Sequence, residues 1–134
     1  MRKITLVVVH CSDSDIKSHD NIETIRGWHV NERGWTDIGY HYFINQAGAL
    51  FPGRKESTVG AHVAGHNAGS IGICLSGRKS FTDAQMVTLE KLLKDICKRH
   101  GLQKTDILGH SDLQPGKTCP NFDLHKLISS WEWH

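Results

Sequence analysis

A chain of 134 residues is long enough for one compact domain and leaves no room for a second, so we predict a single domain over residues 1–134. Its formal charge of +2, from 16 basic and 14 acidic residues, is too small to predict nucleic-acid binding without a basic cluster, and none is present. No segment approaches the roughly 20 apolar residues of a membrane-spanning helix, so we expect no membrane insertion.

The first ten residues resemble the start of a signal peptide, because Arg2 and Lys3 precede a short apolar run. The run stops at His10, and the polar residues 11–15 supply neither a full hydrophobic region nor a cleavage site. We therefore predict a buried strand over residues 4–9, with His10 at its carboxyl end, and synthesis in a cytosol. In that compartment free thiols or metal ligands are expected rather than disulfides for the four cysteines, at positions 11, 74, 97 and 119.

The next elements are a helix, a hairpin and a long loop. Helical spacing of apolar residues predicts a helix from Asn21 to about Arg33, with Asp20 as its N-cap. Aromatic and branched residues at 38–44 predict a strand, and the turn at 45–48 leads into a second strand at 49–51. Residues 54–70 lack periodicity, and 71–76 form another interior strand. Long polar loops before core strands often hold binding groups.

The C-terminal half contains the clearest helix, predicted over residues 83–99, with Thr82 and Gln85 as its capping box. A short strand at 107–109, a loop at 110–121 and a last helix at about 123–131 follow. Strands that alternate with helices predict an α/β fold. We expect a central mixed β-sheet flanked by helices, with the functional site at one edge of the sheet.

Three possible metal ligands follow strands of this sheet, where α/β folds usually build their sites. Two imidazoles and one thiolate, from His10, His110 and Cys119, would suit Zn²⁺ and leave its fourth position open to water. Such a centre can acidify water to a pKa of about 7 and polarise a carbonyl. From spacing alone, three unrelated polar residues remain the commoner explanation, because no two of them form a local zinc motif.

Two further side chains could assist such a centre. Lys117 lies two residues before Cys119, so in an extended segment both side chains would project to one side, where a cation could stabilise an oxyanion. The phenol of Tyr40 could assist proton transfer. A solvated lysine and a core tyrosine are the plainer alternatives.

The chain resembles the type 2 N-acetylmuramoyl-L-alanine amidases, a family that includes phage lysozyme-like amidases and peptidoglycan recognition proteins. Four segments carry the resemblance in the family's order and span nearly the whole chain: Val8-Val9-His10-Cys11-Ser12, Arg33-Gly34-Trp35-Thr36-Asp37-Ile38-Gly39-Tyr40-His41, Gly60 through Ile73, and Gly109-His110 through Lys117-Thr118-Cys119-Pro120.

The resemblance implies a zinc-dependent hydrolase that cuts peptidoglycan between the lactyl group and the first L-alanine of the stem peptide. It implies His10, His110 and Cys119 as zinc ligands, with Tyr40 and Lys117 as catalytic partners. His62, Asn67 and Arg54 become substrate-contact candidates, and hydrogen bonds that stabilise a loop are the alternative for the first two. Arg54 is followed by Lys55-Glu56 instead of the Gly-Trp of recognition proteins that favour diaminopimelate, so that particular contact is not carried over.

The biological role expected from the resemblance is that of a phage endolysin, a monomer that reaches the cell wall after the membrane is permeabilised. The alternative is a non-catalytic peptidoglycan-binding or regulatory module. One phage relative also inhibits RNA polymerase through an extension before the first strand. Because the first strand here is predicted to begin at about residue 4, we do not expect that second activity.

Overall fold

The computed structural model describes residues 2–35 and 37–132; Met1 and Thr36, which belong to segments considered above, lie outside these ranges. Five strands form one sheet in the order β3-β2-β4-β1-β5. Strands β1, β2, β4 and β5 run parallel, and β3 pairs antiparallel with β2 in a hairpin. The prediction of a mixed central sheet is therefore confirmed. The strands are β1 (Leu6–Cys11), β2 (Tyr42–Ile44), β3 (Leu50–Pro52), β4 (Ser70–Leu75) and β5 (Ile107–Gly109).

Helices and helical turns surround this sheet. The helices are α1 (Ile22–Gly27), α2 (Asp83–His100), α3 (His110–Leu113) and α4 (Leu124–Ser129). A π-helical turn, Trp28–Glu32, continues α1, and 3₁₀ turns cover Lys17–His19 and Lys104–Asp106. None of the helices within the described ranges is both long and apolar enough to cross a membrane.

The central sheet is covered on both faces: alternate side chains of β4 enter two apolar clusters, and Val7 and Val9 of β1 enter the larger one. Val9 and Ile73, which are paired across the strands, lie in the larger cluster with the apolar faces of α2 and α4. Cys74 and Phe43 lie in the smaller cluster with Ile25 of α1. His10 is opposite Cys74 in register, which assigns it to the face covered by α1.

The capping box predicted for α2 is confirmed. Gln85 donates its backbone N–H to Thr82 Oγ1 at 3.1 Å, and Thr82 donates its own to Gln85 Oε1 at 2.9 Å. Gly101 then ends the helix with φ of 68°, in the left-handed region that glycine adopts without a steric cost.

Several predicted boundaries were wrong. The N-cap of α1 is Asn21, whose Oδ1 accepts the Thr24 N–H at 2.8 Å, whereas Asp20 accepts from the Gln46 N–H. The strand predicted over 38–44 is regular only at Tyr42–Ile44. Before it, the chain passes so close to the loop at Ala61 that a Cβ on Gly39 would lie 2.2 Å from the Ala61 carbonyl oxygen. The loop predicted over 110–121 begins with α3, whose start is stabilised by an Asp112 carboxylate that accepts the Gly109 N–H.

Candidate active site

Two histidines 100 residues apart meet at the carboxyl ends of adjacent strands. β1 and β5 are parallel and pair Val9 with Gly109, so His10 and His110 follow side by side. Their Nδ1 atoms lie 3.1 Å apart, and their ring centroids lie 4.5 Å apart. Burial lowers the pKa of His10 well below its usual value, helped by the two neighbouring imidazoles, so this ring is neutral at pH 7.

The thiol of Cys119 lies against a second thiol, 2.8 Å from Cys11 Sγ. A hydrogen bond from Cys11, with help from the nearby charge of Lys117, lowers the pKa of Cys119 below its usual value. The same hydrogen bond and burial raise the pKa of Cys11, so Cys11 remains the donor. The thiolate, which is the form that binds metal, therefore forms more readily at Cys119 than at an ordinary cysteine.

The donor set fits a zinc ion. Two nitrogens bound at about 2.05 Å with a tetrahedral angle would lie roughly 3.3 Å apart, close to the 3.1 Å observed between His10 and His110. Neutral imidazoles and a thiolate are ligand types that zinc prefers. In the part of the chain that the structure describes, however, no three His, Cys, Asp or Glu side chains lie close enough together to hold a metal ion.

The three residues line one cleft of about 390 Å³, together with both predicted catalytic partners. The ring of Tyr40 lies 5.0 Å from that of His10, and Lys117 lies on the same cleft as Cys119. Burial raises the pKa of Tyr40 well above its usual value, with nearby thiols adding to the effect. Tyr40 therefore keeps its proton and can act as a donor.

Sequence reasoning missed His29 as a site residue and treated it only as part of a helix face. The π-helical turn carries His29 to the cleft, where its Nδ1 accepts the Gly39 N–H at 2.7 Å. Burial, assisted by the charges of Arg33 and Arg54, lowers the pKa of His29 to about 4. The ring is therefore neutral with its proton on Nε2. A wide turn of this kind is common at functional sites, but the sequence contained no signal for it.

An arginine and a tryptophan form another part of the cleft wall. The guanidinium of Arg33 lies 5.2 Å from the centre of the Trp35 ring, in a cation–π contact. Trp35 also packs against His29, with ring centroids 4.7 Å apart. Both residues were recognised only as members of a motif, and their position gives the cleft a positive, aromatic wall.

The predicted substrate contacts are placed in different ways. His62 lines the cleft but is only 8% exposed, and both ring nitrogens are engaged: Nδ1 lies 2.9 Å from His10 Nε2, and Nε2 lies 3.0 Å from Ser70 Oγ. Asn67 Oδ1 accepts the backbone N–H groups of His62 and Val63. Both side chains thus make structural hydrogen bonds, which were the alternative to substrate contact in the sequence analysis. Their role toward substrate stays a prediction.

Arg54 is occupied by backbone groups of the neighbouring loops. Its guanidinium donates to the carbonyl oxygens of Ile38 at 2.7 Å, Val59 at 2.9 Å and Asp37 at 3.4 Å. These bonds fasten the loop before β4 to the segment that carries Tyr40. The substrate role of Arg54 also remains a prediction.

Comparison with known proteins gives one consistent result. The profile of the Amidase_2 family, described as N-acetylmuramoyl-L-alanine amidase, matches residues 1–122. The chain is 37% identical to the endolysin of Enterobacteria phage K11, over 92% of this chain and 85% of that one. It is also 37% identical to the endolysin of Escherichia phage T7, over 90% and 82%. The solved structure of N-acetylmuramoyl-L-alanine amidase LysC from Clostridium intestinale URNW matches with a TM-score of 0.84 at 28% identity, covering 96% of this chain and 85% of that one.

Proposed function

The chain belongs to the N-acetylmuramoyl-L-alanine amidase family and is a peptidoglycan amidase of the phage endolysin type, and from that premise we propose that it works with a zinc ion. His10, His110 and Cys119 would hold the ion. The observation that carries the proposal is the pair of Nδ1 atoms that face each other at 3.1 Å on the cleft that Cys119 also lines. The bond cleaved is the amide between the lactyl group and L-alanine.

When bound, zinc supplies a Lewis acid that polarises the scissile carbonyl and acidifies a water molecule. The chain's own residues do the rest. The ammonium of Lys117 stabilises the negative charge that develops on the carbonyl oxygen. Tyr40, which stays protonated, gives or shares a proton as the amide nitrogen becomes a leaving amine.

The cleft wall suits an anionic, sugar-linked peptide. Among the residues that line the cleft, Arg33 and Lys117 are cations and Asp13 is the one carboxylate, so the balance is positive, and peptidoglycan stem peptides carry carboxylates. His29 lines the cleft, so its Nε2 proton is a candidate donor to a substrate carbonyl, and the Trp35 ring offers an apolar surface. The structural hydrogen bonds of three further residues, His62, Asn67 and Arg54, would hold the loops around this cleft in place. We also propose that these residues can contact the substrate directly.

A binding-only role is less well supported. A closed structural zinc site needs a fourth protein ligand, whereas here Tyr40 and Lys117 line the same cleft as the three proposed ligands. We further propose that the protein acts as a monomer. We also propose that it reaches the wall from inside the cell after the membrane is permeabilised, and the endolysin relatives support action from that side.

Purified sacculi test the proposal directly. The wild-type protein loaded with one zinc ion should reduce their turbidity and release free stem peptides that begin with L-alanine, identified by mass. Cys119→Ser should do neither. Release of sugar fragments with peptides still attached would show a different bond specificity, and full activity of a rigorously zinc-free protein would refute the zinc requirement.

A further inference from the structure

The ring of His110 makes one contact at each nitrogen. Nε2 is hydrogen-bonded to Gln114 Oε1, and Nδ1 faces His10 Nδ1 at 3.1 Å. An amide oxygen only accepts hydrogen bonds, so Nε2 carries a proton, and in the neutral ring Nδ1 then holds the lone pair. The nitrogen left free to bind a metal is therefore the one that faces His10.

We propose that Gln114 is a positioning residue for the zinc site, because its side-chain carbonyl holds the Nε2 proton of His110 and so presents Nδ1 as the ligand atom. The inference rests on the zinc-dependent function proposed above. Histidine ligands usually donate their second N–H to a carbonyl or carboxylate, which fixes the tautomer and raises the basicity of the ligating nitrogen.

Backbone bonds place Gln114 between two site residues. It donates its N–H to the His110 carbonyl at 3.1 Å, which ends α3, and its own carbonyl accepts the Lys117 N–H at 3.3 Å. Gln114 therefore lies one helical turn after His110, which brings its side chain next to the His110 ring. These two bonds use only the backbone of Gln114. A variant that lacks the side-chain amide can therefore keep the conformation of this loop.

The second proposed ligand shows the same arrangement with different partners. His10 Nε2 lies 2.9 Å from His62 Nδ1, and His62 Nε2 lies 3.0 Å from Ser70 Oγ. In both ligands Nε2 is held by a neighbour and Nδ1 points to the shared space. If both Nε2 atoms donate and both rings are neutral, two lone pairs face each other at 3.1 Å, an arrangement that a bound cation would stabilise.

The test compares Gln114→Leu with Gln114→Glu in the full chain. Leucine keeps the size of the side chain but cannot accept the proton, whereas glutamate can. Titration against a chromophoric chelator should show zinc binding weakened roughly 10- to 100-fold by leucine and retained or strengthened by glutamate. The thermal midpoint of the metal-free protein should be unchanged in both. Ser111→Ala, an exposed change on the same helix, is the matched control and should bind zinc as the wild type does.

Nitrogen-15 NMR of the histidine rings supplies a readout that does not depend on activity. In the wild type, His110 should carry its proton on Nε2 with and without zinc. Zinc affinity of the wild-type level in Gln114→Leu, equal weakening by leucine and glutamate, or a His110 that binds zinc through Nε2 would each overturn the inference. A wild-type protein with no zinc affinity would instead overturn the proposed function, whatever the tautomer.

Discussion

At the scale of single residues, Cys119 is the proposed zinc ligand with the most distinctive chemistry, because it is the one thiol in the set. We expect Cys119→Ser to lower zinc affinity by at least 10-fold and to abolish cleavage, because a neutral hydroxyl replaces a soft anionic ligand. Equilibrium dialysis with metal analysis measures the first effect, and sacculus turbidity measures the second. Cys97→Ser, which changes a buried thiol of the larger core cluster, is the control and should keep the zinc. Full metal binding by Cys119→Ser would remove the residue from the ligand set.

Lys117 and Tyr40 should affect the rate of cleavage and leave metal binding alone. Lys117→Ala and Tyr40→Phe should each lower turnover by about 10²-fold or more, the usual scale for an oxyanion or proton-transfer partner. Both variants should keep one zinc ion per chain and the wild-type thermal midpoint. Lys126→Ala, a change of an exposed lysine of α4, controls for the loss of one positive charge. Turnover at the wild-type rate in either variant would exclude that side chain from the mechanism.

At the scale of elements, Glu56 fastens the loop before β4 to β2 and to the end of α2. Its carboxylate accepts hydrogen bonds from Tyr42 of β2 and from Arg99 and His100 of α2, while Arg2 donates to its backbone carbonyl. Burial opposes ionisation of Glu56, but the bonds from Arg99, Tyr42 and His100 prevail and hold its pKa at about 2. Three elements therefore depend on one ionised side chain that is only 18% exposed.

This carboxylate should make stability depend on pH in acid. Because the folded pKa of about 2 lies below the ordinary value of 4.5, its contribution is fully present above pH 4.5 and is lost as the pH falls through about 2. Glu56→Gln should lower the free energy of unfolding at pH 7 by on the order of 2 kcal/mol, and the difference from wild type should shrink between pH 4.5 and 2. Urea unfolding at several pH values measures this. Glu90→Gln, which removes a surface pair with Lys94, should have a small effect at all pH values.

Elements with strong local signals were the ones that the sequence could predict. The Thr82–Gln85 capping box and the buried β4 run depend on nearby residues, and both are present in the structure. The π-helical turn at 28–32 was not predictable, because it depends on contacts that His29 makes with Gly39 and Trp35 from outside the helix. The first strand extends to Cys11 for a similar reason: its last residues pair with β4 across the sheet.

In the candidate site, too, some features were predictable from the sequence and others depend on contacts between distant segments. The three proposed ligands were predicted from residue chemistry and resemblance, and parallel pairing of β1 and β5 explains how two of them, His10 and His110, meet. The contacts of Cys11 with Cys119 and of Gln114 with His110 were not foreseen, because both connect segments whose relative position is set by the fold. Gly72 is another case: a Cβ there would lie 2.6 Å from the His62 ring, so glycine in a core strand makes space for a site histidine.

At the scale of the whole molecule, compartment and chemistry can be tested together in cells. The proposed route places the enzyme on the inner side of the membrane and its substrate on the outer side, so accumulation alone should not lyse intact producing cells. Permeabilising the inner membrane should trigger lysis with the wild type but not with Cys119→Ser, because the variant reaches the wall without cleaving it. Optical density after addition of a membrane-permeabilising agent gives the rate, and immunoblots confirm equal amounts of the two proteins. Lysis before permeabilisation would contradict the proposed route, and equal lysis rates for the two proteins afterwards would contradict a catalytic role for Cys119.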